Sequence, residues 1–410
     1  MTRMVLSILT LLSSSGLALS QVTPERLASD PKIAMDVYRM YEYTPQDYTP
    51  APKGYKAVYI SHYGRHGERY INRPKYVLPG HAVLLREKLT PLGARALAIV
   101  QDMADRSDNH WGDLTELSGG RMSEITTRLY CRDKSIFRPG RIVRSASTTE
   151  PRCLLSMSQS LAKLAALEPG LRIEQTASQT GNVVLAGCLS MADTCAHIQD
   201  AKRDSIFAAH PDADTKLKTL FESPGNLTAK DISDVTGTIV FVWKDYPCLG
   251  LEPFNLNDFI SSEKIYMWTV AQTARSYSIY CRSHWWNSCY SLLKPLLDDI
   301  VSKANDALFR GDIAADLRFG QDYVQMSLFS AFRLKGHETI LDYPEIPLHW
   351  DIASWCPMAG SIQLIFYTKK GAPTLVKLLV NERETALPVL KSVSGPYYLW
   401  DDVVTLLRTP

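Results

Sequence analysis

The sequence predicts an α/β protein in which a mostly parallel sheet flanked by helices carries an inserted, mainly α-helical cap domain. Three observations predict this class. Short apolar strands alternate with helices in the first part of the chain, long helical patterns dominate the middle, and strand patterns return before the C-terminus. Such alternation is typical of a parallel sheet covered by helices. A chain of 410 residues is also long enough for two closely joined domains.

The first part of the chain contains the alternating elements. Lys56–Ser61 is a short apolar run that leads into a glycine-containing loop, which predicts a buried strand. Thr90–Met103 has apolar residues at helical spacing and a Thr-Pro start that suits a helix N-terminus. A second helix is predicted over Gly120–Tyr130 and a second strand over Arg141–Arg144.

The middle and the end of the chain differ in pattern. Long helices are predicted over Asp258–Tyr280 and Tyr290–Leu308. Strands are then predicted over Ala315–Phe319, Ser361–Tyr367 and Thr374–Val380, the last two forming a β-hairpin. We therefore divide the chain into a signal peptide at 1–20, a discontinuous α/β core at 21–155 and 306–410, and a helical insertion at 156–305.

The first twenty residues have the pattern of a signal peptide. Arg3 supplies the positive charge, Met4–Leu12 the apolar segment, and Ala18–Ser20 a small-residue cleavage site before Gln21. The apolar run is too short to span a membrane and is followed by serines. We expect cleavage near Ser20/Gln21 and export to the periplasm, outer-membrane vesicles or the medium, with no membrane span in the mature protein.

Charge and cysteine content restrict the partners. The 45 Lys and Arg nearly balance the 43 Asp and Glu, so nothing favours a nucleic-acid partner. All eight cysteines follow the leader, and an even number in an oxidising compartment permits disulfides whose connectivity the sequence leaves open. The close pairs Cys188/Cys195 and Cys281/Cys289 are the favoured ones. No CxxC occurs and no His has zinc-ligand spacing, so no metal site is expected.

The segment Ser61–Tyr70 carries the most informative chemistry. It lies at the predicted C-terminal end of a strand, where open α/β sheets bind ligands. Arg65 and Arg69 have forked donors that suit phosphate oxygens, and Gly67 allows an anion to approach the backbone closely. The two positive charges disfavour the imidazolium form of His66 and leave a nitrogen lone pair for attack. The residues therefore predict a phosphate pocket that contains a nucleophile.

The run Arg65-His66-Gly67-x-Arg69 after an apolar strand resembles the signature of the histidine acid phosphatases, the branch with phytases and multiple inositol-polyphosphate phosphatases. The wider run Pro52–Gly67 looks like exported members from gut Bacteroidetes. A second similar block, Val143–Ser156, contains Arg152. A third block covers the C-terminal strand segments Pro357–Tyr367 and Val376–Glu384.

The resemblance implies a monomeric enzyme that uses no cofactor and acts on a small phosphorylated substrate such as an inositol polyphosphate. It implies His66 as the nucleophile that becomes phosphorylated and Arg65, Arg69 and Arg152 as the phosphate clamp. The family's proton donor follows a histidine in the setting Leu-Arg-Phe-Gly-His-Asp, and here that segment reads Leu317-Arg-Phe-Gly-Gln-Asp322.

Asp322 is thus the implied proton donor, and Gln321 replaces the family histidine. The amide can still donate to a phosphate oxygen, but it is neutral. Losing one such donor typically costs ~3 kcal/mol, which predicts a slowed enzyme. The rival reading is a catalytically inactive homologue that binds phosphate esters without turnover. A phosphotransferase of the mutase type is disfavoured, because export separates the protein from cytosolic substrates.

A second segment of the sequence also resembles the proton-donor motif. Gly336-His-Glu338 superficially resembles a His-Ala-Glu block with one residue deleted. Ser330–Lys335 makes a poor strand before it, and the prolines within Asp342–Pro347 prevent the helix that should follow. A helix can form over Tyr323–Leu334, which favours Gln321 and Asp322 as the motif.

Overall fold

The computed structural model describes residues 21–192, 195 and 214–410, so the predicted signal peptide at 1–20 lies outside the described residues. The strands are β1 Lys56–Arg65, β2 Ile142–Ser147, β3 Arg172–Ala177, β4 Ile313–Gly320, β5 Ser361–Thr368, β6 Leu375–Val380, β7 Arg383–Glu384 and β8 Tyr398–Leu399.

The α-helices of the described ranges are α1 Pro24–Ser29, α2 Leu78–Arg86, α3 Pro91–Ser107, α4 Glu116–Arg132, α5 Pro151–Leu167, α6 Gln179–Ala186, α7 Thr215–Lys218, α8 Ala229–Asp245, α9 Ser262–Tyr280, α10 Trp286–Arg310, α11 Asp322–Ala331, α12 Ile346–His349, α13 Ile352–Trp355 and α14 Trp400–Leu407. Short 3-10 helices add Pro31–Tyr38, Pro74–Tyr76, Gly187–Ser190, Pro224–Asn226, Tyr246–Leu249 and Leu256–Asp258.

One mixed sheet organises the chain, in the order β3-β2-β4-β1-β5-β6-β7, with β8 also paired to β6. The four strands from β3 to β1 are parallel, whereas β5, β6, β7 and β8 pair antiparallel. The parallel strands β1, β2 and β4 bring their carboxyl ends to the same edge. This edge is where such sheets bind ligands.

The predicted class, an α/β fold with a helical part, is confirmed. Each strand named from the sequence is present with slightly different ends, and β5 and β6 form the expected antiparallel hairpin. The long helices of the middle segment are α9 and α10, which lie between β3 and β4 along the chain. Strand β3 was not predicted. It is mostly exposed at the edge of the sheet, so its residues lack the apolar pattern of a buried strand.

Alternate residues of β1 pack into cores on opposite faces of the sheet. Tyr59 and Tyr63 join the core that contains residues of α10 and α11, and Ile60 joins the core that contains residues of α4 and α5. A third core packs α2, α3 and α8 with the N-terminal residues Ile33 and Met35. Burial of β1 on both faces holds its carboxyl end rigidly in place.

The predicted disulfides are not present, and this prediction is corrected. All eight cysteines, each within the described residues, carry free thiols. The Cys281 thiol donates to the carbonyl of Met326 (3.7 Å), and the Cys289 thiol donates to that of Tyr280 (3.5 Å). Cys281 caps the end of α9 while Cys289 lies inside α10, so closeness in sequence does not bring their sulfurs together.

No helix among the described residues is both long enough and apolar enough to cross a membrane.

Candidate active site

The motif loop continues directly from the end of β1, between the ends of two neighbouring strands. The backbone N–H of His66 donates to the carbonyl of Gly320 at the end of β4 (3.1 Å). The N–H of Arg65 donates to the carbonyl of Gly360 (2.9 Å), and the His66 carbonyl accepts from Ala359 (2.9 Å). These hydrogen bonds fix the backbone of residues 65 and 66, and so they fix the position from which the His66 side chain extends.

Gly67 is required by close packing against α4. A Cβ atom at this position would lie 2.1 Å from the hydroxyl oxygen of Ser118. The Gly67 N–H in turn donates to the Ser156 hydroxyl on α5 (3.0 Å). Any side chain at 67 would therefore push the loop away from both helices.

The imidazole of His66 is neutral and has a fixed tautomer. It is buried, and its Nδ1 lies 2.8 Å from the carbonyl oxygen of Gly67. Because a carbonyl can only accept, Nδ1 carries the proton and Nε2 keeps its lone pair. Burial, and then the charges of Arg65, Arg152 and Arg69, lower the pKa of His66 well below its usual range. These effects favour the neutral form of the ring, which has one proton on Nδ1 and a free lone pair on Nε2.

Arg65 is held in one orientation by three partners. Its guanidinium donates to the carbonyls of Val37 and Cys356 and lies 3.3 Å from the Asp322 carboxylate. The side chain is almost fully buried. A planar guanidinium fixed this way loses little freedom when it binds an oxyanion.

Arg69 stacks on an aromatic ring instead. Its guanidinium carbon lies 4.7 Å from the ring centroid of Tyr38, and one nitrogen donates to the carbonyl of Tyr70 (3.0 Å). Behind it lies Asp245, fully buried at the C-terminal end of α8. Burial raises the pKa of Asp245 to about 7, although the charge of Arg69 and the N–H of Ile71 oppose this.

Arg152 lies in the first turn of α5 and is already paired. Its guanidinium is 2.9 Å from the carboxylate of Glu150, which is half exposed and lines the same cleft. Any anion that binds Arg152 must share it with this carboxylate or displace the carboxylate. Sequence reasoning missed Glu150, although it stands only two residues from Arg152.

Gln321 and Asp322 follow β4 directly, with Gln321 as the N-cap of α11 and Asp322 as its first residue. The Gln321 side chain is buried, and its amide nitrogen donates to the sulfur of Cys153 (3.4 Å). Burial raises the pKa of Cys153 to about 11, so this acceptor is a neutral thiol. The weak sulfur contact leaves the second amide N–H for a ligand.

Gly320 brings the motif close to β1. A Cβ atom at this position would lie 2.0 Å from the hydroxyl oxygen of Tyr63, and that hydroxyl accepts the backbone N–H of Gln321 (3.2 Å). The structure thus holds the segment 317–322 in the strand-to-helix setting expected from the sequence.

The competing segment Gly336–Glu338 lies elsewhere. His337 is fully buried, its Nδ1 pairs with the Ser330 hydroxyl (2.9 Å), and its ring stacks on Tyr277 at 5.2 Å. Neither His337 nor Glu338 lines the cleft around His66. Burial lowers the pKa of His337 to about 3, so it is a neutral core residue.

Two other titratable groups of the motif are buried behind it. His62 is fully buried, and its pKa is lowered to about 3 by burial and by the charges of Arg318 and Arg132. Glu68 is buried and pairs with Arg121 on α4 (3.0 Å). Neither residue lines the cleft.

A cleft of about 500 Å³ brings all six predicted site residues together: Arg65, His66, Arg69, Arg152, Gln321 and Asp322. Its outer walls add Arg73 from the loop after the motif and Gln272 and Arg275 from α9. A larger cavity of about 770 Å³ near α1 has mostly apolar walls and contains none of these residues. The smaller cleft is therefore the candidate active site, because it contains the charged and nucleophilic side chains.

Within the described part of the chain, no group of three or more His, Cys, Asp or Glu side chains is arranged to hold a metal ion.

No protein-family model matches the chain, and no curated protein is similar to it in sequence. Solved structures with the same fold are found at low identity. A multiple inositol polyphosphate phosphatase from Bifidobacterium longum, in complex with inositol hexasulfate, has a TM-score of 0.76 at 16% identity, covering 92% of this chain and 97% of that one. Its apo form has a TM-score of 0.73 at 16% identity, covering 89% and 96%. A phytase from D. castellii has a TM-score of 0.67 at 14% identity, covering 91% and 84%. This chain therefore has the fold of these inositol polyphosphate phosphatase and phytase structures.

Proposed function

We propose that the chain is an exported phosphomonoesterase that transfers a phosphoryl group first to His66 and then to water. One observation carries this proposal: a buried, neutral imidazole with a fixed tautomer opens onto a cleft lined by Arg65, Arg69 and Arg152. Positive charge around a neutral nitrogen nucleophile is what attack on a phosphate dianion requires.

The reaction has two steps. In the first, Nε2 of His66 forms a bond to phosphorus while the bond from phosphorus to the ester oxygen breaks, and protonated Asp322 gives its proton to the leaving alkoxide. In the second, Asp322 as carboxylate takes a proton from water, whose oxygen bonds to phosphorus as the bond to Nε2 breaks. The products are the alcohol and inorganic phosphate. The arginines stabilise the equatorial oxygens in both steps.

The substrate class proposed is an inositol polyphosphate. The cleft has positive charge beyond the clamp, from Arg73 on one wall and Arg275 on another. A ligand with several phosphates could use these charges, whereas a simple monoester would reach only the clamp. The fold shared with a multiple inositol polyphosphate phosphatase supports this choice by analogy.

The second candidate is a phosphate-ester-binding protein without turnover. Two contacts favour it: the Gln321 amide is neutral and partly engaged by Cys153, and Glu150 occupies Arg152. Both weaken transition-state stabilisation more than the binding of a ground-state phosphate.

Phosphate release separates the two candidates. Mature protein is incubated with phytate and with an aryl phosphate between about pH 4 and 7, and binding of inorganic phosphate is measured by calorimetry. Turnover that disappears in His66→Ala supports the enzyme. Phosphate binding through the arginines with no turnover of either substrate would establish the binding protein instead.

Export is tested separately by the N-terminus. We expect mature protein from the periplasm or medium to begin at or near Gln21, because cleavage should follow Ala18–Ser20. An intact Met1 in cell-associated protein would contradict this part of the proposal.

A further inference from the structure

The last three residues of the N-terminal segment Pro31–Tyr38, Asp36 to Tyr38, line one wall of the cleft, and no sequence pattern predicted this. The Val37 carbonyl accepts a hydrogen bond from Arg65, and the Tyr38 ring stacks on Arg69. Two of the three clamp arginines therefore take their orientation from consecutive residues of this segment.

The segment adopts a strained backbone immediately before these two residues. Asp36 has φ 45° and ψ −129°, a conformation that favours glycine. This bend interrupts the 3-10 helix and points the Val37 carbonyl toward Arg65. A non-glycine residue keeps such a conformation only when its surroundings hold it there.

The group that holds Asp36 is Lys244 on α8. Its ammonium pairs with the Asp36 carboxylate, and Lys244 is almost fully buried. The ammonium also lies near the rings of Phe241 (5.7 Å) and Trp268 (5.8 Å). Asp36 lines the cleft, whereas the ammonium of Lys244 cannot reach water without moving the segment, so the pair is a strong geometric constraint.

We propose that Lys244 is a positioning residue for the phosphate clamp, because its pairing with Asp36 holds the strained bend that orients Arg65 and Arg69. The inference rests on the proposed function only in taking these arginines as the phosphate site. It requires phosphate binding and does not require turnover. Lys244 itself does not line the cleft, so its effect reaches the ligand through Asp36.

The test compares two buried lysines that are alike except in position. Lys377 on β6 is also buried, and its ammonium lies 2.7 Å from the carboxylate of Glu384 on β7. Lys377 does not line the cleft. Lys244→Met and Lys377→Met remove matched ion pairs. The dissociation constant for inorganic phosphate is measured by calorimetry and the midpoint of thermal unfolding by calorimetric scanning.

We expect both variants to lose thermal stability and only Lys244→Met to lose phosphate affinity, by about tenfold or more, as two loosened arginines would cause. Lys244→Arg should restore most of the affinity. If Lys244→Met binds phosphate as tightly as Lys377→Met does, the proposal is overturned. If phosphate affinity falls in Lys244→Met as expected but the natural chain shows no turnover, only the proposed enzymatic activity is refuted.

A second variant separates strain from charge and covers poor folding of Lys244→Met. In the Lys244→Met background, Asp36→Gly removes both the unpaired carboxylate and the Cβ that makes the bend costly, so we expect phosphate affinity to recover. Asp36→Ala in the same background keeps the Cβ atom and therefore the strain, so phosphate affinity should not recover. If Lys244→Met does not fold, Asp36→Asn in the natural chain is measured instead. A folded Asp36→Asn with unchanged phosphate affinity also overturns the proposal.

Discussion

Restoring a histidine at position 321 is the sharpest perturbation of this site. The Gln321 side chain is buried at the end of β4 and lines the cleft together with His66 and Arg152. Glutamine and histidine have similar volumes, and the side-chain hydrogen bond that Gln321→His would disturb is the weak one to Cys153. We therefore expect the variant to fold and to place an imidazole N–H where the amide now lies.

The size of the effect follows from what the amide still provides. Removing a preorganised donor entirely costs ~3 kcal/mol, or about a hundred- to a thousandfold in rate. Gln321 keeps one N–H for the ligand, so the recoverable part is the difference between a charge-assisted and a neutral hydrogen bond, about 1–2 kcal/mol. This difference predicts a gain in kcat of about 5- to 30-fold. If the sulfur contact holds the amide away from the phosphate, the gain rises toward a thousandfold.

The assay measures kcat and KM for phytate and an aryl phosphate at about pH 5. At this pH a bound phosphate can stabilise the protonated imidazole introduced by Gln321→His, which the positive charges of Arg65 and Arg152 otherwise disfavour. Gln321→Met is the matched control, because it keeps the length of the side chain and removes the donor. We expect activity to rise from Met through Gln to His. Equal kcat in all three chains would refute the assignment of a donor role to this position.

Three further predictions address the other groups of the site. His66→Ala should abolish turnover while retaining phosphate binding, and rapid mixing of the natural chain with labelled substrate should trap phosphate on His66. The control variant is His284→Ala, at an exposed histidine. Full activity of His66→Ala would refute the assignment of His66 as the nucleophile. Asp322→Asn should lower kcat most for esters with poor leaving groups, which need the proton; an equal loss for aryl and alkyl esters would show that Asp322 is not the donor. Asp245 faces Arg69, Tyr38 and Cys248, and its pKa is raised from 3.8 to about 7, so the native state binds this proton more tightly than the unfolded chain. Its contribution to the free energy of unfolding is full below about pH 4 and is lost as pH rises through about 7, and Asp245→Asn should remove that decline in urea titrations. An unchanged pH dependence would mean that Asp245 does not titrate in this range.

The parts of the site that the sequence predicted are those in which neighbouring residues carry the whole signal. Arg65, His66 and Arg69 stand within five residues of one another after an apolar strand, and the strand indeed ends at Arg65. The register of Gln321 and Asp322 rested on local strand and helix patterns, and β4 and α11 meet at these residues as expected. Local propensity and hydrophobic pattern are sufficient for such elements because each is buried in a regular way.

The predicted disulfides failed because proximity of thiols depends on how helices pack. The short separation of Cys281 and Cys289 spans the end of one helix and the start of the next. Each thiol then finds a carbonyl acceptor of its own, and no bond between them is needed to close the loop.

The charges behind the clamp could not be predicted for a related reason. Asp36 and Lys244 are 208 residues apart, and no pattern in the sequence distinguishes this lysine from the other cationic residues. Their pairing exists because α8 packs against the N-terminal segment. The bend at Asp36 could not be predicted, because a positive φ is normally indicated in a sequence by glycine. The motif around His66 therefore specifies which groups line the cleft, whereas the packing of the helical region against the N-terminus determines how firmly they are held. A change in affinity caused by a lysine outside the cleft would be direct evidence of that division.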